Sequence, residues 1–406
     1  MLILSINSGS TSLKSCLYDL PAHEEAGQVP VPVWQAEISW KGEAGGTLQI
    51  NKNGKETDVP LESKTREEAI AQILTRLWKE DGLVAGPDEI VAVAHRVVHG
   101  GPKYFSSTII DEQVIEDLRG LAELAPNHEL ENVRAIVVAR KTLPKALQVA
   151  AFDTAFYHKL PITSAIYALP YDWYERDGLR RFGFHGISHE YLSMRAAQML
   201  GRQDLKLVTC HLGGGSSLSA IDGGRCLDTT MGFTPLDGLP MQTRSGSIDP
   251  GLIFHQVQHG GYTIEKLNTV LTKESGMKGL SGLSGDMKEI EVQMGAGNSR
   301  AQLAFDVFVR EVAKHAASLV PVLGKLDALV FAGGIGENSS NIRRSVCNML
   351  LHLGIRINEA KNASGKDDRD ISSQQAAVKV LVIHTKEELA IAQSARRIYL
   401  ASAARV

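Results

Sequence analysis

Residues 1–20 read MLILSINSGSTSLKSCLYDL, an apolar run at 2–6, a polar segment from Asn7 to Ser12 that contains Gly9, and a second mostly apolar run at 13–20. Short apolar runs flanking a Gly/Ser/Asn cluster read as two strands around a turn, so the chain is predicted to open with a β-hairpin. A related pattern recurs at residues 206–222, KLVTCHLGGGSSLSAID. There a strand at 206–211 leads into a turn from Gly213 to Ser217 and returns at 218–222. Set side by side, Asn7–Leu13 and His211–Leu218 share a polar residue, glycine, serine and leucine, one residue out of step. The match points to an internal duplication, and chance similarity between two Gly/Ser turns explains it equally well.

Working outward, residues 21–32 read as a loop, 33–40 and 47–51 as strands, the second followed by the turn signal Asn53-Gly54, and 66–79 as a helix. The apolar run 90–98 is a central strand ending in His99-Gly100-Gly101. Helices follow at 111–124 and 128–141, then a strand at 146–152. Further helices are expected at 188–200, 250–258, 263–274 and 299–320. A strand at 326–331 runs into Gly333–Asn338 and a helix from Asn341. Residues 361–375 read as a polar surface loop, 378–383 as a last strand, and the segment from Glu387 onward as a C-terminal helix. Strands and helices alternate throughout, which places the chain in the α/β class.

With 406 residues and 43% hydrophobic content, the chain can bury two or three cores, and two domains are the starting expectation. The 43 basic residues nearly balance the 46 acidic ones, and no segment concentrates Lys and Arg with aromatics, so nucleic acid is not an expected partner. Cys16, Cys210, Cys226 and Cys347 are far apart, form no CxxC pair and join no histidine cluster at metal-ligand spacing, as idle thiols in a reducing compartment would. The N-terminus has no basic segment ahead of its apolar run, so it is not read as a signal peptide. No apolar run approaches the roughly 18 residues of a membrane span. These features lead to the expectation of a cytoplasmic enzyme with no membrane partner.

Three segments, Ser8–Ser12, Gly213–Ser217 and Gly333–Asn338, each follow an apolar strand with glycines, and serines or asparagine close by. Polyphosphate is held economically by such turns, whose glycines admit backbone N–H groups while hydroxyls donate further bonds. One alone is more often merely a turn; three in one chain point to a nucleotide. No GxxxxGK[ST] is present, and GGIGEN does not open a dinucleotide fold at the expected N-terminal position. Lys14 ends the first turn as a candidate phosphate cation or, equally, a solvated strand lysine.

The runs NSGSTSLK (7–14), HRVVHGG (95–101), FDTAF (152–156), RFGFHGISH (181–189), HLGGGSSLSAIDGG (211–224), DTTMGFTPLDGLPMQTRSGSIDPG (228–251), FAGGIGENS (331–339) and EELAIA (387–392) closely resemble the acetate kinase family, in that family's order from end to end. The resemblance implies the fold shared with sugar kinases, actin and chaperone ATPases: two duplicated ribonuclease H-like domains with a nucleotide cleft between them. On that template residues 1–152, completed by the helix 387–406, form one domain, and 153–386 the nucleotide-binding domain. The implied activity is reversible transfer of the ATP γ-phosphoryl group to acetate, giving ADP and acetyl phosphate, a step toward acetyl-CoA. Mg²⁺ (or Mn²⁺) is the implied metal and a homodimer the implied assembly.

Phosphoryl transfer needs in-line positioning and positive groups around the moving phosphoryl group more than covalent chemistry. Arg96 matches the family's substrate-binding arginine, whose planar guanidinium suits a carboxylate. His185 and Arg244 match positions thought to stabilise the transition state, and Asp153 the residue usually assigned as acid or base. A carboxylate substrate has no proton to remove at neutral pH, so orienting Arg96 or the metal shell is the simpler task for Asp153. Asn7 and Glu387 match the metal-associated positions and offer the hard oxygens Mg²⁺ prefers. Otherwise Glu387 is simply a first-turn glutamate favoured by the helix dipole. Ser10, Ser12, Lys14, His211, Leu212, Gly213, Gly214, Gly215, Asp286, Met287, Lys288, Gly334, Ile335, Gly336, Glu337 and Asn338 match ATP-binding stretches. Val98, Asn127, Phe184 and Pro235 match the small-acid pocket.

The chain departs from the family pattern in three places. Asn127 replaces a leucine of the acyl-pocket wall, Ser247 stands where TRSGD has its acid, and Gly214 stands where HLGNG has its asparagine. Asn127 leaves propionate and butyrate open as alternative acids. A second class of function, an ATP-driven conformational module like actin, needs no carboxylate pocket and is disfavoured by HRVVHGG and FDTAF.

Overall fold

The computed structural model describes residues 1–9, 12–22, 29–41, 45–61, 63–121 and 126–404; for 41, 45 and 126–129 it describes the backbone alone. Ser10 and the side chain of Asn127 therefore lie outside the described residues. The chain separates into two compact units, one formed by residues 1–156 with 386–406 and the other by 157–385.

The first unit is built on an eight-stranded sheet of order β5-β4-β3-β2-β1-β6-β8-β7. Its strands are β1 (Leu2–Ser8), β2 (Ser12–Asp19), β3 (Trp34–Lys41), β4 (Gly45–Lys52), β5 (Lys55–Val59), β6 (Ile90–Val97), β7 (Thr108–Ile109) and β8 (Leu147–Phe152). The β1–β5 meander is antiparallel, β6 and β8 add in parallel, and β7 closes the edge antiparallel. Helix Arg66–Lys79 shows the expected start signals: Thr65 accepts from Glu68 N, and Glu67 and Glu68 complement the dipole. It buries Ile70, Ile73, Leu74 and Leu77 in a core that includes Trp34 and Val93. The C-terminal helix Glu387–Ala403 packs on β1, β6 and β8, burying Leu389, Ile391, Ala392 and Ala395.

The second unit carries a six-stranded sheet, β11-β10-β9-β12-β14-β13. Its strands are β9 (Lys206–Leu212), β10 (Ser216–Asp222), β11 (Arg225–Thr229), β12 (Ala328–Ala332), β13 (Arg369–Asp370) and β14 (Lys379–Val382). Here too an antiparallel meander leads into two parallel strands and an antiparallel edge. Strand for strand this is the order and polarity of β3-β2-β1-β6-β8-β7, the duplication that the two hairpins hinted at. Asn7 and His211 hold the same place, next to last in β1 and β9, and face Lys14 and Ser217 across their hairpins. The long helix Ser299–Leu323 lays Phe305, Phe308, Val312, Ala316 and Leu319 against this sheet.

Two expected segments are different. Residues 361–375 are not a plain loop, because helix Glu359–Ala363, capped by Asn358, and edge strand β13 lie in and beside them. Polar composition hid both, since each is short and built on local caps rather than an apolar stripe. GGIGEN is a helix, Gly333–Asn338, rather than an open turn.

Candidate active site

In the first unit, three neighbouring strand ends deliver polar side chains. Ile6 pairs with His95 and Arg96 with Ala151, so Asn7 at the end of β1 and Asp153 just past β8 flank Arg96. Arg96 donates from Nη2 to Asp153 Oδ2 at 2.7 Å and from Nε to both carboxylate oxygens at 3.2 and 3.3 Å. Its Nη1 donates to Asn7 Oδ1 at 3.1 Å and stands 4.0 Å from Glu387 Oε2. Asn7 Nδ2 in turn donates to Glu388 Oε1 at 3.4 Å. Burial opposes the charge of Arg96, but the carboxylates of Asp153 and Glu387 more than offset it and hold its pKa above the ordinary value. Burial, with Asp153 and Glu388 nearby, pushes Glu387 up to about 7.

Buried Asn132 braces this corner, accepting from Val98 N at 3.2 Å and donating to Ser8 O at 2.7 Å. Val98 and His99 are buried where the strand breaks; Gly101, at φ 57°, accommodates the turn and donates to His99 Nδ1 at 2.8 Å. Lys14, paired with Glu37 at 3.5 Å, is held above its usual pKa: burial works against its charge, and Glu37 and Glu388 outweigh it.

The donor chemistry of this corner fits Mg²⁺. It offers only amide and carboxylate oxygens, and its Asp153, Glu387 and Glu388 carboxyls exceed the cations Arg96 and Lys14. Among the described residues no three His, Cys, Asp or Glu side chains form a metal cage.

In the second unit the turn Gly213–Gly215 joins β9 to β10. A Cβ on Gly215 would stand 3.0 Å from His185 Nε2 and 3.8 Å from Arg244 Nη1, so a histidine and an arginine converge on this glycine. His185 starts helix Gly186–Leu200 from a left-handed backbone, φ 57°, a conformation that costs a non-glycine residue about 1 kcal/mol or more and persists only where surroundings enforce it. Its ring stacks on His211, with centroids 4.4 Å apart, and its Nδ1 meets Ser217 Oγ at 2.9 Å. Ser217 also meets His189 Nε2 at 2.8 Å, and His189 Nδ1 meets Thr209 Oγ1 at 2.7 Å. His185 thus sits at the outer end of a buried Ser217–His189–Thr209 chain. Burial and neighbouring His211 hold His189 well below the usual histidine pKa.

The glycine turns contribute fewer free donors than their composition implies. Gly9 N–H donates to Ser12 O, Gly213 N–H to Gly215 O and Gly333 N–H to Glu337 Oε1, each inside its own turn. Glu337 Oε1 also accepts from Thr385 N at 3.0 Å, so this side chain fastens the GGIGEN helix from within. Buried Arg343 reinforces it by donating to the carbonyls of Gly336 and Glu337. Gly333, at φ 76°, is obligatory, because a Cβ would lie 2.6 Å from Leu212 O.

A cavity of about 600 Å³ opens beside these turns, lined among others by Gly213, Gly214, Asp286, Lys288, Gly334 and Asn338. Asp286 caps its helix, accepting from Lys288 N at 2.8 Å, and Met287 and Gly336 are buried. The Leu212 side chain belongs to the core. Phe184 is buried, its carbonyl accepting from Tyr157 Oη at 2.7 Å, and Pro235 O accepts from Arg244 Nη1 at 3.2 Å. Ser247 donates to Asp237 Oδ1 at 2.5 Å, so an acid there would oppose an existing carboxylate. The sequence reading missed Glu388, Asn132 and His189, and took Ser217 only as the end of a phosphate turn, without its bond to His185. Glu388 was detectable as the second acid of the first helical turn; the others depend on long-range contacts.

The family model described as the Acetokinase family matches residues 2–393. An acetate kinase of Cyanothece sp. is 44% identical over 398 residues, covering 97% of each chain. The crystal structure of Porphyromonas gingivalis acetate kinase superposes with a TM-score of 0.89 at 35% identity, and that of a propionate kinase from Francisella tularensis subsp. tularensis with 0.89 at 34%; each comparison covers 98% of this chain and 99% of the other. With this match along nearly its whole length, the chain belongs to the acetokinase family.

Proposed function

We propose that this chain carries out ATP-dependent phosphorylation of acetate by direct in-line transfer, with the nucleotide on the unit of residues 157–385 and the carboxylate-binding Arg96 and the metal residues on the other. The observation that carries the reading is the convergence of His185 and Arg244 on Gly215 of the β9–β10 turn, beside a cavity of nucleotide size. In the proposed step a carboxylate oxygen attacks the γ-phosphorus as the bond to the β,γ-bridging oxygen breaks, and ADP leaves with that electron pair. Arg244 and His185 donate to the equatorial oxygens, whose charge is greatest in the transition state. His185 is oriented by Ser217. Arg96 receives the carboxylate and Asp153 fixes the guanidinium plane; no proton transfer is required, because acetate is already ionised at pH 7. Asn7 and Glu387 would hold Mg²⁺, which neutralises phosphate charge when bound.

The acid is tested with acetate, propionate and butyrate. Acetate is expected to give the highest kcat/KM, by about tenfold or more per methylene; a chain that prefers propionate or butyrate refutes the assignment. We further propose a homodimer. Helix Pro250–His259 buries none of its residues, and Leu252, Phe254 and nearby Ile264 are 54%, 65% and 61% exposed, which supports a second copy covering this face. Four free, buried cysteines agree with a cytoplasmic location.

A further inference from the structure

We propose that Gln242 is a nucleotide-binding residue of this chain, its carboxamide occupying the space that Gly214 leaves open and binding the non-transferred phosphates. The inference rests on the nucleotide site proposed above and adds a ligand to it.

Gln242 is anchored by its backbone in the cavity wall. Its N–H donates to Gly214 O at 3.3 Å, its carbonyl accepts from Lys278 N at 2.9 Å, and Gly285 packs on that carbonyl. The side chain reaches back over the glycine turn, where Oε1 lies 3.2 Å from the point a Cβ on Gly214 would occupy. Among the described residues nothing hydrogen-bonds to this carboxamide, and Gln242 lines the cavity of about 600 Å³ together with Gly213, Gly214 and Gly334.

The order of groups along the turn identifies what the carboxamide meets. His185 and Arg244 stand at Gly215, Gln242 at Gly214, and Gly334 N lies 3.8 Å from a Cβ on Gly213. Gln242 and Arg244 are two residues apart and both face the turn. The transferring phosphoryl group belongs beside His185 and Arg244 at Gly215. One residue further toward the cavity, Gln242 meets phosphates shared by ATP and ADP. Because Gly213 N–H is engaged inside the turn, a neutral side-chain donor here supplies a hydrogen bond that the backbone withholds. The asparagine that the family pattern carries at 214 would bring a carboxamide to the same space from the opposite wall.

The test is ADP binding by calorimetry, with steady-state kinetics, on Gln242→Ala and on Gln242→Leu, which keeps the volume and removes the donors. Both are expected to weaken ADP about tenfold, the scale of a lost hydrogen bond to a charged group. KM for ATP should rise in parallel, while KM for acetate and the melting temperature without nucleotide stay at parent values. Adding Gly214→Asn to Gln242→Ala should recover much of the lost affinity; Gly214 has no left-handed backbone to forbid the side chain. ADP affinity within twofold of the parent in both single variants, an equal rise in KM for acetate, a lower melting temperature, or no recovery in the double variant would each overturn the proposal. Failure of the kinase reading is separately visible as a parent protein that binds ADP but consumes no ATP in response to acetate.

Discussion

Removing the guanidinium of Arg96 should damage stability and turnover through separable causes. The Asp153 side chain is 2% exposed and Glu387 13%, and Arg96 contacts both. In Arg96→Ala the Asp153 carboxylate loses every hydrogen bond it receives from Arg96 and remains buried, a situation that costs about 3–5 kcal/mol. For a unit of this size that is a fall in melting temperature of about ten degrees. Asp153→Asn should cost less, about 1–2 kcal/mol, because Arg96 keeps Asn7 and the amide still accepts a hydrogen bond. The double variant Arg96→Ala/Asp153→Asn should be more stable than Arg96→Ala alone, since the buried Asp153 carboxylate that lost its partner is then gone. Turnover should not follow: all variants lacking Arg96 should lose on the order of a hundredfold in kcat/KM for acetate, the scale of a lost charge-paired contact. The assays are thermal unfolding by circular dichroism without nucleotide or metal, and coupled kinetics with acetate. If Arg96→Ala melts with the parent, or the double variant falls by the sum of the single ones, Arg96 does not compensate Asp153 and the reasoning fails.

Four other outcomes follow from the same geometry. Ser217→Ala should lower kcat about tenfold with little change in KM for ATP, by releasing Nδ1 of His185; an unchanged kcat would make the buried chain behind His185 irrelevant to catalysis. His185→Asn should lose activity yet melt near the parent, because asparagine tolerates the left-handed backbone, whereas His185→Val should also melt lower. Gly333→Ala should be destabilised by more than about 1 kcal/mol in chemical denaturation, from the contact with Leu212 O together with its positive φ. Burial lowers the pKa of both His95 and His99 to about 4. Below about pH 6.5 the unfolded chain takes up protons that the folded chain refuses, so their contribution is complete above that pH and declines toward pH 4. The slope is about 1.4 kcal/mol per unit for each imidazole. His95→Gln should flatten the stability profile in that window and leave it unchanged above pH 7.

The hairpins and central strands were legible because each is an apolar run bounded by glycine, serine or asparagine, and β1, β2, β6 and β9 fall within two residues of their expected limits at either end. GGIGEN was read by composition as an open turn and is a helix, a difference set by Glu337 and Arg343 folding its polar groups inward. Arg96, Asp153 and Asn7 lie far apart in sequence, and residue reading alone gave no means of joining them; parallel pairing of β1, β6 and β8 does so. His189, Asn132 and the bond from Ser217 to His185 were illegible for the same reason. A serine in a strand or an asparagine on a helix becomes informative only once its partner is known.

Acetate-dependent ATP consumption by the purified chain with Mg²⁺, with hydroxylamine present to trap the product, tests the proposed transfer most directly. ATP loss is expected to require acetate and to yield one acyl hydroxamate per ADP formed, with both slowed on the order of a hundredfold in Arg96→Ala at low acetate. ATP hydrolysis that proceeds equally without acetate and yields no hydroxamate would contradict the proposed transfer.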